Sequence, residues 1–152
     1  MILDGLFSFN TVGTPQVLTS TTAPSDNVID LLNARDMGIG DDPALKIAIF
    51  VGTAGVSAGG ATLTIQAQGS TNNSSWTTYA ESRAYSAADL AAGNKLFPID
   101  WPHRGPGDAL PRYLRLNYTI AVSTFSALAL DAKLVLDRQD ATQYPPGLAI
   151  SN

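Results

Sequence analysis

His103 is the only histidine of the chain, and it stands beside Arg104 in a loop rich in proline and glycine, Pro102–Asp108. A Ser-His-Asp triad needs one histidine as its base, but no nucleophile, base and orienting carboxylate can be placed together from this sequence. His103 therefore reads as a solvated loop residue. Asp36, Asp41 and Asp42 gather three carboxylates in the stretch Asp36–Pro43, the oxygen donors that a hard cation such as Ca²⁺ takes. The spacing of an EF-hand and its closing glutamate are absent, and Asp-Asp-Pro is ordinary turn composition, so no metal or other cofactor is expected. A pair of carboxylates for glycoside hydrolysis would face each other across a cleft, whereas the acids here are scattered through turns and strand ends, with Glu81 the only glutamate. Gly52–Gly60 has glycines but lacks the Gly-Lys-Ser/Thr of a phosphate loop. Trp76, Tyr79, Tyr85 and Trp101 have faces on which a sugar ring stacks, though such residues are more often core or interface anchors. Asn72, Asn73 and Asn117 begin glycan-acceptor triplets that read as chance matches. What the residue types favour is a protein whose work is contact and not turnover.

Such contact residues need a scaffold, and the composition limits which kind. The chain has 152 residues, 45% of them apolar and 14% charged, against about 25% charged in an average soluble domain. Twelve of its thirteen acids are Asp, and only Lys46, Lys95 and Lys133 are lysines. Glu and Lys normally coat exposed helix faces, so their scarcity argues against a helical protein. The formal net charge of -4 provides no positive field for a nucleic acid. The longest apolar runs fall well short of the roughly 20 residues of a membrane helix, so neither nucleic acid nor membrane is an expected partner. The first residues carry no basic region or cleavage site of a secretory signal. The absence of cysteine removes disulfides and thiolate chemistry. Synthesis in a reducing cytosol is the expectation.

Alternation of period two dominates the chain, as half-buried antiparallel strands require. Leu114, Leu116, Tyr118 and Ile120 share one face of 112–120, and Leu128, Leu130, Ala132, Leu134 and Leu136 share one face of 127–137. Leu63, Ile65 and Ala67 do the same in 61–68, beneath an outer face of Thr and Gln. The run 46–51 is apolar on both faces and reads as a central strand. Weaker strands are expected at 16–20, 27–31, 76–83 and 95–100. Stretches 52–60, 69–75 and 102–108 read as loops. One short helix is expected at Ser86–Ala92, with Ser86 as N-cap, Asp89 in the first turn and Gly93 closing it. About eight strands without a βαβ rhythm predict an all-β, two-sheet antiparallel sandwich of jelly-roll topology. Residues 1–142 form that domain with an N-terminal arm, and 143–152 an extended tail around Pro145 and Pro146. The tail either packs back on its own domain or reaches a neighbour.

Several blocks, in order, resemble the capsid cement, or head decoration, proteins of short-tailed bacteriophages: Asn27-Val-Ile-Asp-Leu31, Arg35-Asp-Met-Gly-Ile-Gly40, Arg112-Tyr-Leu-Arg-Leu-Asn-Tyr-Thr119 and Leu134-Val-Leu-Asp-Arg-Gln139. The Met-Ile-Leu-Asp start and the Ser86–Leu90 segment fit as well, so the resemblance spans 1 to about 140. It implies a non-enzymatic jelly-roll protein on the outer surface of the virion head that joins major capsid protein subunits. It also implies a homo-oligomer, a dimer foremost and a trimer as the alternative. The loop around His103 and the tail from Tyr144 onward depart from the pattern. Expected contact residues are Ile2, Leu3 and Phe7 of the arm, Tyr144, Leu148 and Ile150 of the tail, and Trp76 and Trp101. Arg112 and Arg138 are candidates for paired hydrogen bonds to carboxylates, with solvated or intradomain roles equally open. Two other readings share the fold class: a carbohydrate-binding jelly roll, and another virion component such as a tail or baseplate sandwich domain.

Overall fold

In β9, Tyr113–Ala121, the alternation drives Leu114, Leu116, Tyr118 and Ile120 into the interior, and in β10, Ala127–Val135, it does the same for Leu128, Leu130, Ala132 and Leu134. The computed structural model describes residues 5–19, 21–34, 45–102 and 110–135. Among these, the other strands are β1 Gln16–Val17, β2 Thr22–Pro24, β3 Ile29–Asp30, β4 Lys46–Val56, β5 Thr62–Ser70, β6 Thr77–Glu81, β7 Tyr85–Ser86 and β8 Lys95–Leu96. All pairings are antiparallel. One sheet has the order β1-β10-β4-β8; the other has β2-β9-β5-β6, with β3 also on β9 and β7 also on β5.

Since β2 and β3 together line one edge of β9, and β6 and β7 one edge of β5, the segments act as eight strands in two sheets of four. Successive strands cross between the sheets everywhere except from β5 to β6, which gives the expected two-sheet jelly roll. The inner faces meet in one core. Ile47, Ile49 and Val51 of β4 pack in it with Leu63 and Ile65 of β5 and the inward residues of β9 and β10.

Two expectations are corrected by glycines. The stretch from Gly52 onward does not leave the sheet at once, because β4 continues to Val56. A Cβ on Gly55 would stand 2.9 Å from Leu90 Cβ and 3.3 Å from Phe125 Cε1, so the strand needs a residue without a side chain where two core groups press on it. Gly69 likewise stays in β5, beneath the Tyr79 ring. Composition marks both as turn residues, whereas their role is close approach.

The helix expected over Ser86–Ala92 is a single 3-10 turn, Ala87–Asp89. Its start is as read: the Asp89 carboxylate accepts the Ser86 N–H and hydroxyl, both at 2.8 Å. It does not extend because Leu90 is drawn into the core and its carbonyl accepts the Gly55 N–H at 2.9 Å. At the β9–β10 turn Ser123 N–H donates to Ala121 O at 2.8 Å, across Val122 at φ +71°. This three-residue turn places a β-branched residue in the left-handed region, which costs of order 1–3 kcal/mol.

Candidate functional site

The described part of the N-terminal arm is bound to its own domain by polar side chains. Asn10 is 1% exposed. Its Oδ1 accepts the Ala132 N–H at 2.7 Å, and its Nδ2 donates to Thr14 O at 2.8 Å and Thr11 O at 3.1 Å. Asn27 Nδ2 donates to Asn10 O at 2.9 Å, and Ser25 Oγ donates to Asn27 O at 2.8 Å while accepting the Leu116 N–H at 3.1 Å. These links run from β10 of one sheet to β9 of the other and close the seam between them. The side chains replace a backbone ladder that lapses between Ser8, bridged to Lys133, and β1.

Apolar contacts fix the same segment. Phe9 is buried and stacks on Trp101, with ring centroids 5.9 Å apart. Phe7 is half-buried against the core. Trp101 is 2% exposed, so it is a core residue and not a surface anchor. The Trp101 backbone N–H donates to Leu45 O at 2.7 Å, next to the Lys46–Asp100 bridge at the start of β4. Tyr85 is also core, and its hydroxyl accepts the Phe97 N–H at 2.8 Å.

Arg112 makes the paired hydrogen bond expected of it, but within its own chain. Its Nε and Nη2 each donate to Asp30 at 2.9 Å, because β3 pairs with β9 at that point. The guanidinium holds the Asp30 carboxyl below the usual carboxylate range. Ile2, Leu3, Arg138, Tyr144, Leu148 and Ile150 lie outside the described residues, as do His103, Asp36, Asp41 and Asp42. The expected absence of a Gly-x-Ser-x-Gly elbow does not hold at the level of spacing, because Gly55-Val-Ser-Ala-Gly59 matches that pattern. Ser57 sits in the loop that carries the chain from β4 of one sheet to β5 of the other, where its Oγ accepts the Ala61 N–H at 3.0 Å. A nucleophile elbow is a strand-to-helix turn, so the match lacks its structural context.

The two outer surfaces differ in chemistry. On the β1-β10-β4-β8 sheet, register sets Val17 beside Ala129, Ala129 beside Thr53, and Ala127 beside Val56. Val17 is 67% and Val56 53% exposed. Val12 is exposed nearby, in the turn that leads to Pro15, which lies against Gly52. Exposed valines on small neighbours make this end of the sheet apolar, while Lys133 and Asp131 pair at 2.7 Å further along β10.

The β6-β5-β9 face is a polar array. Arg115 Nε donates to Gln68 Oε1 at 2.9 Å; Gln68 Nε2 donates to Thr78 Oγ1 at 3.1 Å and Gln66 Oε1 at 3.3 Å. Gln66 Oε1 also accepts from Asn117 Nδ2 at 2.9 Å, and Gln66 Nε2 donates to Glu81 at 2.6 Å. The Arg115 guanidinium lies 4.1 Å from the centre of the half-buried Trp76 ring. Alternation predicts that Gln66 and Gln68 point outward. It does not reveal that register brings Arg115 and Asn117 alongside them, and Gln68 is in fact buried by these neighbours.

Compared with known proteins, the chain matches the family model Bbp16 over residues 12–134. That span takes in β1 to β9 and all of β10 but its last residue, Val135. No curated protein matches.

Proposed function

From the premise that the chain belongs to the phage-associated Bbp16 family and is a bacteriophage protein, we propose that it is a capsid cement protein. In this reading it sits on the outer surface of an icosahedral head, contacts major capsid protein subunits and itself, and performs no catalysis. The observation that carries the proposal is the family match over residues 12–134, joined to the ordered sequence blocks that resemble cement proteins.

Physical features of the fold support it. A β-sandwich with few charges and an apolar end on one sheet binds through surface burial and hydrogen bonds, which salt screens little. Val12, Val17 and Val56 are the described residues best suited to such a contact with the shell. Many weak copies on one lattice raise one another's occupancy. Free energy gained only on the assembled shell opposes its opening.

The test is to mix the purified chain with undecorated heads of its phage, sediment them and image the pellet by cryo-electron microscopy. Ordered density at symmetry-related positions outside the shell is the expected result, and it would give the oligomeric state directly. A folded chain that stays in the supernatant would refute the proposal. Val17→Asp and Val56→Asp should each reduce co-sedimentation with heads without changing the fold.

A further inference from the structure

We infer that the outer face of the β6-β5-β9 sheet is a binding platform for a neutral glycan, with Trp76 as its stacking residue and Gln66, Asn117, Arg115 and Glu81 as its hydrogen-bonding groups. The array has a fixed polarity. Arg115 can only donate and an ionised Glu81 can only accept, so the amides between them are held in one orientation. Arg115 donates to Gln68, Gln68 donates to Gln66, and Gln66 donates to Glu81, while Asn117 also donates to Gln66. Amide groups that would otherwise turn freely are thereby set before any ligand arrives, which lowers the ordering cost of binding.

Each member of the chain has capacity beyond these bonds. A guanidinium has five N–H donors, a side-chain amide two, and a carboxylate two oxygens. The surface therefore offers donors and acceptors within a few ångströms of each other. A sugar hydroxyl both donates and accepts, and neighbouring hydroxyls on a pyranose ring match such a mixed row. Trp76 is held by Arg115 against its ring, which leaves a pinned aromatic group at the border of the array. A pyranose ring can lie with its C–H face on that group. Charge decides against anionic ligands: the array ends in a carboxylate, and the chain has a formal net charge of -4. A protein partner would be better served by the apolar end of the opposite sheet, where Val17 and Val56 are exposed. If that sheet faces the shell, the polar array faces outward, where the polysaccharide of a cell surface would meet it.

The test uses the full chain labelled with ¹⁵N and a panel of neutral oligosaccharides built from glucose, galactose and mannose, with heparin as the anionic control. At millimolar sugar, at least one neutral member should shift the side-chain amide signals of Gln66 and Asn117 and the Trp76 indole signal. The indole of Trp101, buried in the core, should not move. Trp76→Ala and Asn117→Ala should each weaken that binding at least tenfold, with the backbone spectrum otherwise retained. Asn117→Ala should still co-sediment with phage heads, which separates this inference from the cement proposal. No shift with any neutral member, or a response to heparin alone, would overturn it. So would loss of head binding in Asn117→Ala without any effect of sugar, because the face would then be a protein contact.

Discussion

Replacing Asn10 by alanine tests whether side chains close the seam of the sandwich. The Asn10 amide is 1% exposed and makes three bonds, to Ala132 N–H, Thr14 O and Thr11 O. Truncation leaves the Ala132 N–H and at least one carbonyl without a partner, and a buried group left unsatisfied costs about 1–3 kcal/mol. With partial relief by water, the expected loss is about 3 kcal/mol out of a stability of roughly 5–15 kcal/mol. For a chain of this size, that is a fall in Tm of roughly 6–12 °C. Urea unfolding followed by tryptophan fluorescence suits the purpose, since Trp101 stacks on Phe9 next to the site. The midpoint should drop with the slope unchanged. Asn10→Asp sharpens the test: it keeps the acceptor for Ala132 N–H but turns a donor into an oxygen facing two carbonyls. It should be at least as destabilising as alanine at neutral pH, and its deficit should shrink in acid, where a protonated carboxyl can donate. A loss below about 0.5 kcal/mol for Asn10→Ala would refute the reasoning, because that is the range of surface substitutions.

Gly55→Ala should cost about 1–3 kcal/mol by overpacking against Leu90 and Phe125, and the cost should fall in a Leu90→Ala background, as a double-mutant cycle would measure. The Asp89 carboxyl is held well below the usual carboxylate range, first by Arg83 and then by the Ser86 N–H and hydroxyl. A lowered folded value stabilises the protein above the unfolded pKa of about 3.9, and that contribution fades as pH falls below it. Urea midpoints should therefore drop more steeply below about pH 4 in the native chain than in Asp89→Asn, and parallel curves would contradict this. Val122 is 82% exposed at φ +71°, so Val122→Gly should stabilise by up to about 1 kcal/mol after the backbone entropy of glycine is counted. If this strained tip touches the shell, the same variant should bind heads less well. Deleting residues 143–152 should lower occupancy on heads, and unchanged occupancy would dismiss a docking role for the tail.

Much of the scaffold is legible in the residues alone because it follows from local chemistry. The alternation of β5, β9 and β10 names their buried faces, since side chains on a strand point alternately to opposite sides. The apolar run 46–51 identifies the central strand, and the scarcity of Glu and Lys argues against a helical fold. Ser86 and Asp89 mark a capped turn. What a linear reading misses depends on partners distant in sequence. Gly55 and Gly69 look like loop residues until Leu90, Phe125 and Tyr79 press on them. Trp101 and Arg112 have the chemistry of interface anchors, but Phe9 and Asp30 claim them.

For the candidate sites, the sequence by itself determined which groups lie on the outer faces, and only the tertiary structure decided which of them meet. The period of a strand sets the side to which Gln66, Gln68, Arg115 and Asn117 point. Their joining into one directed array depends on the register of β5 with β9 and β6, a pairing across 47 residues for Gln68 and Arg115. A shift by one residue would send each of these polar side chains to the opposite face. The buried leucines and isoleucines between them hold that register in place.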